Sequence, residues 1–222
     1  MVNKTQIRKL LKDHFNVYGK ITIDAQGAVS CTGDIQVQDQ FSQLPVRFDR
    51  VQGSFSCIGV GLTTLEGVPR YIGGSFSCQR NKLTNLTHAP VYVHGNYEVW
   101  MNRLTSLKGA PWVTQGDFYC GHNKLTTLAH APSHVAGSFD CLQNPLNSLD
   151  HAPQYVGEEF WADYHAHMGL LRMLVTQKLI LLKRAPAEVQ QIMNKYKGQG
   201  KAGAIKCAGE LIKAGFRENA RW

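Results

Sequence analysis

The chain has no long apolar run. Its longest, Met168 to Leu182, is broken by Arg172, Gln177 and Lys178, short of the roughly 20 consecutive apolar residues that a membrane-spanning helix needs. The opening MVNKTQIRKLLKDHF holds no secretory apolar region. A cytoplasmic protein without a membrane span is therefore expected, and with it free thiols, since disulfides are rare where no export signal acts. Cofactor spacings are missing too. KGQGKAG at Lys197 to Gly203 lacks both the G-x-x-x-x-G-K-[ST] spacing and the preceding strand of a phosphate cradle. The cysteines do not fall in C-x-x-C hairpins, and His165 and His167, beside Asp163, have no i, i+4 partner. No metal, cofactor or catalytic residue is expected.

What the chain does have is one phrase written five times: GSFSCIGVGLTTLEGVPRYIG, GSFSCQRNKLTNLTHAPVYVH, GNYEVWMNRLTSLKGAPWVTQ, GDFYCGHNKLTTLAHAPSHVA and GSFDCLQNPLNSLDHAPQYVG. Gly53, Gly74, Gly95, Gly116 and Gly137 open the copies at a fixed spacing of 21 residues. A fixed period without insertions predicts a solenoid, in which each repeat buries its apolar face against its neighbours. Phe55, Phe76, Tyr97, Phe118 and Phe139 alternate with Cys57, Cys78, Val99, Cys120 and Cys141, the period-two pattern of a short strand with these residues facing in. Then come Asn81, Asn102, Asn123 and Asn144, each followed two residues on by a leucine. The pattern is the leucine-rich phrase L-x-L-x-x-N-x-L with an aromatic residue and Cys in its first two slots.

Each column has an expected task. The buried Asn carries donors and an acceptor, suited to bonding the turn backbone on its own rung and the next. Leu65, Leu86, Leu107, Leu128 and Leu149 fill the second wall. Pro69, Pro90, Pro111, Pro132 and Pro153 hold the return segment extended through their fixed φ. Val60 stands where the first repeat should carry Asn, and Thr114 where the third should be apolar, so local irregularity is expected at both without loss of a rung.

The flanks must cap the array. Residues 1–19 read as an N-terminal helical cap with Ile7, Leu10, Leu11 and Phe15 on one side, and 20–52 as an irregular edge repeat in which GAVSC, Gly27 to Cys31, is a degenerate GSFSC offset by an insertion. The five repeats occupy 53–157. Residues 158–222 read as a helical cap or small domain of three helices, with Val189, Ile192, Met193 and Tyr196 buried on the second and Ile205, Ala208, Leu211, Ile212 and Phe216 on the third. The fold class is thus an α/β-type solenoid, a leucine-rich-repeat parallel β array with an N-terminal helical cap and a C-terminal α-helical tail. Its net charge of +8 is uneven: the array is close to neutral, and the tail is basic.

Function is sought on the concave face, among residues alternating with the buried ones. Its outer rungs are small; its centre carries Trp100, Tyr119, Glu98, Asp117 and Asp140. Large aromatics among carboxylates on a regular sheet suit a protein-binding patch. Lys82, Arg103 and Lys124 form a further ladder that reads as a solvated edge.

The phrase G-x-F-x-C-x-x-N-x-L-T-x-L-x-x-A-P-x-x-V, preceded by GAVSCTGDIQVQ and LPVRFDRVQGSFSC, resembles the leucine-rich-repeat proteins of tailed bacteriophages and some bacteria. The similarity runs from about Ile21 to Trp161, and KYKGQGKAGAIKCAGELIKAGF is similar to the tails that follow such repeats. The resemblance implies a binding scaffold and supplies no catalytic residues. Bacterial effector ligases with similar repeats place a catalytic Cys in a large extra domain, whereas Cys207 lies on a small-residue helix face in a short tail. The expected function is a non-enzymatic, phage-encoded protein-interaction module that captures or blocks a host protein such as a defence component. The alternative is nucleic-acid binding through the basic C-terminal helices.

Overall fold

The computed structural model describes residues 3–165, 169–170 and 177–221. The chain forms a parallel β-solenoid flanked by helices. Its front ladder is built from β4 (Asp34–Val37), β6 (Phe55–Ser56), β8 (Phe76–Ser77), β10 (Tyr97–Glu98), β12 (Phe118–Tyr119), β14 (Phe139–Asp140) and β15 (Tyr155–Asp163), hydrogen-bonded in that order. The register sets Phe55, Phe76, Tyr97, Phe118, Phe139 and Phe160 one above another, all fully buried. Neighbouring rungs of a sheet lie about 4.8 Å apart, which suits stacked rings. Ring centroids are 5.1 Å apart for Tyr97–Phe118, 5.6 Å for Phe118–Phe139 and 5.3 Å for Phe139–Phe160. Cys57, Cys78, Cys120 and Cys141 fill the adjacent buried column as free thiols.

The Asn column ties rungs together, but toward the preceding rung and not the next. Asn102 Oδ1 accepts from the Leu83 N–H at 3.1 Å, and its Nδ2 donates to the carbonyls of Cys78 at 3.0 Å and Val99 at 3.1 Å. Asn81, Asn123 and Asn144 repeat the arrangement. Where Val60 replaces Asn, the main chain takes over: the N–H of Phe41 bonds the Val60 carbonyl at 2.8 Å. Gly61, at φ +88°, allows that detour, since such a backbone is least costly for glycine; the positive φ at Gly59 recurs at Arg80, Met101, His122 and Gln143 and belongs to every rung.

The return segments also pair, which extended geometry alone had not promised. β2 (Ile21–Ile23), β3 (Val29–Cys31), β5 (Phe48–Val51), β7 (Tyr71–Ile72) and β9 (Tyr92–Val93) form one back ladder; β11 (Val113–Thr114) and β13 (His134–Val135) join β15 in another. Among the described residues β9 and β11 do not pair. The gap falls at Thr114, whose hydroxyl is fully buried without a hydrogen-bond partner. The expected irregularity is therefore a break in the back ladder, while the front rung β10 pairs on both sides.

Three expectations at the ends need correction. GAVSC is not the front-strand copy: Val29–Cys31 lies in the back ladder, and the front copy is GDIQV, Gly33 to Val37. Ile35 is in register with Phe55, and the Gly53 N–H bonds the Gly33 carbonyl. Letter similarity favoured Gly27, but hydrogen-bond register decides. Capping of this end is shared by α1 (Lys4–His14), N-capped by Asn3, and by β1 (Phe15–Tyr18), antiparallel to β4.

At the other end, the first of the three expected tail helices, which falls before Ala185-Pro186, is, where described, a strand, β16 (Gln177–Lys183), paired in parallel with β15; residues 166–168 and 171–176 lie outside the described residues. A short apolar run does not distinguish helix from strand by periodicity, and the open edge of β15 offers strand partners. The tail thus holds two α-helices, α2 (Ala187–Tyr196) and α3 (Gly200–Lys213), with a 3-10 turn at Arg217–Ala220. α2 buries Val189, Ile192, Met193 and Tyr196 as expected. On α3 Leu211 is buried as expected and Ala208 and Phe216 pack partly buried against the core, but Gly203, Ala204 and Cys207 take the inward places expected for Ile205 and Ile212, which are exposed. A Cβ on Gly203 would lie 2.4 Å from Gln199 Cβ, so the turn into α3 closes only over glycine.

Candidate protein-binding face

Three outward columns cross the front ladder. The first consists of the residue after each repeat's opening glycine, and it forms a second polar ladder that sequence reasoning missed. Ser54 N–H bonds Asp34 Oδ1 at 2.7 Å, Ser75 N–H bonds Ser54 Oγ at 3.1 Å, Asn96 N–H bonds Ser75 Oγ at 3.0 Å, Asp117 N–H bonds Asn96 Oδ1 at 2.9 Å, and Ser138 N–H bonds Asp117 Oδ1 at 2.7 Å. This explains the glycines. A Cβ at Gly116 would sit 2.4 Å from Asn96 Oδ1, and one at Gly137 2.2 Å from Asp117 Oδ1. The signal was present as Gly followed each time by Ser, Asn or Asp, the short side chains that bond nearby backbone.

The second column is Ser77, Glu98, Tyr119, Asp140 and Trp161, in register across β8 to β15. The third places Trp100 and Gly121 beside them. All five expected residues therefore meet on one face: Glu98, Tyr119 and Asp140 on consecutive rungs, Asp117 in the column to one side and Trp100 in the column to the other. Asp117 has two tasks, since its Oδ2 also accepts the Tyr119 hydroxyl at 2.7 Å. Loss of solvent, the bond to Asp117 and its charge all push the Tyr119 hydroxyl well above the usual tyrosine range. Burial raises the Glu98 carboxyl, opposed by hydrogen bonds from Ser77 and Gln79. Asp140 Oδ1 accepts the Leu142 N–H at 2.7 Å. The Arg80 guanidinium lies 5.4 Å from the Trp100 ring centroid, within cation–π range.

Trp161 extends this face beyond the expected set. It is 38% exposed, and its indole N–H bonds Glu159 Oε2 at 2.8 Å. Its place was readable once Phe160 was seen to continue the aromatic column. A second exposed set lies on the back: Tyr71, Val91, Tyr92, Trp112, Val113 and Tyr155. Lys82, Arg103 and Lys124 are exposed in their turns.

Burial pushes the thiols of Cys57, Cys120 and Cys141 well above the usual range, and that of Cys207 up to about 11, so the nucleophilic thiolate is scarce near neutral pH. Among the described residues no group of three His, Cys, Asp or Glu side chains is placed to hold a metal ion; His167 lies outside them. No helix among the described residues is long and apolar enough to cross a membrane. Comparison with protein-family models, with curated proteins and with solved structures finds no match for the chain.

Proposed function

We propose that the chain is a non-enzymatic protein-interaction module of the phage and bacterial leucine-rich-repeat type, acting in the cytoplasm, that captures a host protein on its front face and blocks it. The observation that carries this reading is the grouping of Trp100, Tyr119 and Trp161 with Glu98, Asp117 and Asp140 on a sheet whose backbone is locked by two side-chain ladders. A rigid surface loses little conformational freedom on binding, and Trp and Tyr, here half-buried at Trp100 and Tyr119 and exposed at Trp161, are the residue types that dominate interface energetics. A host defence component is the target class that fits a phage-encoded blocker.

The competing reading places nucleic acid on the tail, where Lys201, Lys206 and Lys213 are exposed. Capture from a host lysate by Trp100→Ala with Tyr119→Ala, set beside Lys201→Glu with Lys206→Glu and Lys213→Glu, separates the two. The interaction reading expects the aromatic variant to lose the captured protein and the tail variant to keep it. Retained capture by the aromatic variant, with salt-sensitive nucleic-acid binding abolished in the tail variant, would favour the competing reading.

A further inference from the structure

The N-terminal end of the solenoid presents two edge strands, and they are finished differently. Paired backbone groups alternate along an antiparallel strand. In β2 the Lys20 carbonyl accepts the Thr32 N–H and the Asp24 N–H bonds the Ala28 carbonyl, so Thr22 faces β3 while Ile21 and Ile23 turn their backbone groups outward. Lys4 of α1 covers that edge, donating its ammonium to the Ile23 carbonyl at 2.8 Å. Lysine on an edge is a common guard against strand pairing.

β1 has no such cover. The Gln38 N–H bonds the His14 carbonyl at 2.9 Å, so Asn16 and Tyr18 are bonded to β4, and Phe15 and Val17 turn their backbone groups outward. The Phe15 N–H is taken by the Leu11 carbonyl. Among the described residues the Val17 N–H has no partner. Beside it α1 and β1 border a groove of about 490 Å³, with Leu11, Phe15, Val17 and Ile21 as its apolar lining and Arg8 and Lys12 on the helix. Residues four apart share a helix face, and both cations are exposed. No Asp or Glu lines the groove among the described residues, and neither cation belongs to an ion pair there.

We propose that β1 is a docking edge for an extended, acidic segment of a partner protein, which joins the front ladder as a further strand through the Val17 N–H and carbonyl and sets its carboxylates against Arg8 and Lys12. Main-chain bonds supply affinity in such strand addition, and pockets for alternate side chains supply specificity; here the alternate side chains meet Leu11, Val17 and Ile21. Charge selects this occupant over a second copy, because pairing β1 with its equivalent would bring both pairs of uncompensated cations together. The edge lies apart from the face of Trp100 and Tyr119, and neither surface depends on the other.

The test is fluorescence anisotropy at low salt with a labelled peptide of alternating Val and Glu, its counterpart with Gln for Glu, and oligothymidylate as competitor. Val17→Pro deletes the outward donor at a place where an edge strand tolerates proline. We expect saturable binding of the Val–Glu peptide, lost with Val17→Pro and weakened roughly tenfold by Arg8→Glu with Lys12→Glu, the scale of two exposed charge pairs. Exchange of the Val17 amide should slow roughly tenfold or more on binding, a readout that stands even where Val17→Pro unfolds. Trp100→Ala should change neither. Absence of saturable binding, or a Val17 amide that exchanges as fast with the peptide as without it, overturns the proposal. Equal binding of the Gln peptide overturns the acidic occupant. Concentration-dependent dimerisation lost in Val17→Pro would put a second copy on the edge. Oligothymidylate binding abolished by Arg8→Glu with Lys12→Glu, with Val17 exchange untouched, would assign the cations to nucleic acid. Either result overturns the peptide occupant.

Discussion

Replacing Asn102 by Ala removes a side chain that serves two rungs, and the cost follows from its partners. The Leu83 N–H bonds Asn102 Oδ1 and loses its acceptor inside the core; a buried donor left unsatisfied costs about 1–3 kcal/mol. The two carbonyls fare better. Cys78 O keeps the amide of Asn81 at 3.1 Å, and Val99 O keeps that of Asn123 at 3.1 Å, so each loses only a second hydrogen bond, at the lower end of about 0.5–1.5 kcal/mol. Together these give about 2–4 kcal/mol, a large share of the stability of an ordinary domain. Asn102→Leu fills the space without restoring any bond and should cost as much. Urea unfolding followed by circular dichroism, with amide exchange at Leu83, would measure it. A destabilisation below about 0.5 kcal/mol, within the noise of a surface substitution, with Leu83 still protected would refute the ladder as a source of stability.

Tyr97→Phe should stabilise the fold by about 1 kcal/mol or more, because the Tyr97 hydroxyl is buried without a hydrogen-bond partner and its removal ends an unpaid desolvation; a lower melting temperature would show that the hydroxyl is satisfied in solution. Burial raises the Glu98 carboxyl, so the folded chain holds that proton more tightly than the unfolded one, and stability from this group falls as pH rises from the usual Glu range through the raised folded value. Glu98→Gln should therefore melt higher than the parent at neutral pH, with the difference closing in acid; a constant difference at every pH would contradict the assignment. Cutting the chain after Gly157 removes the Phe160 rung and β16, bares Phe139 and opens a strand edge, so aggregation is expected. A soluble, cooperatively melting truncate would mean that the tail is no cap.

Much of this fold was legible because repetition writes each structural task five times. The aromatic and Cys columns, the Asn ladder and the return-segment leucines fall where the period places them, and Val60 and Thr114 mark the two real irregularities. Legibility failed where a task is done once. Gln177–Lys183 offers an apolar run with no period to fix its state, and only the open edge of β15 makes it a strand. Gly33 opens the first front strand with fewer matching letters than Gly27, because its neighbours are chosen for capping. In α3 the small residues, not Ile205 and Ile212, face α2, a choice set by how closely the turn packs. On the front face, alternation alone exposed Glu98, Trp100, Tyr119 and Asp140. It did not reveal that Asp117 also bonds the next rung, that Gln79 is buried, or that Trp161 continues the patch.

The most direct test of the proposed interaction face is amide hydrogen exchange on the chain alone and with a protein retained on it from a host lysate. The strands and turns from 96–102, 117–123 and 138–144 should gain protection together, while the back-ladder segments 91–94 and 112–115 and the helices α2 and α3 stay unchanged. Protection confined to α2 and α3, with the front strands unaltered, would contradict the account.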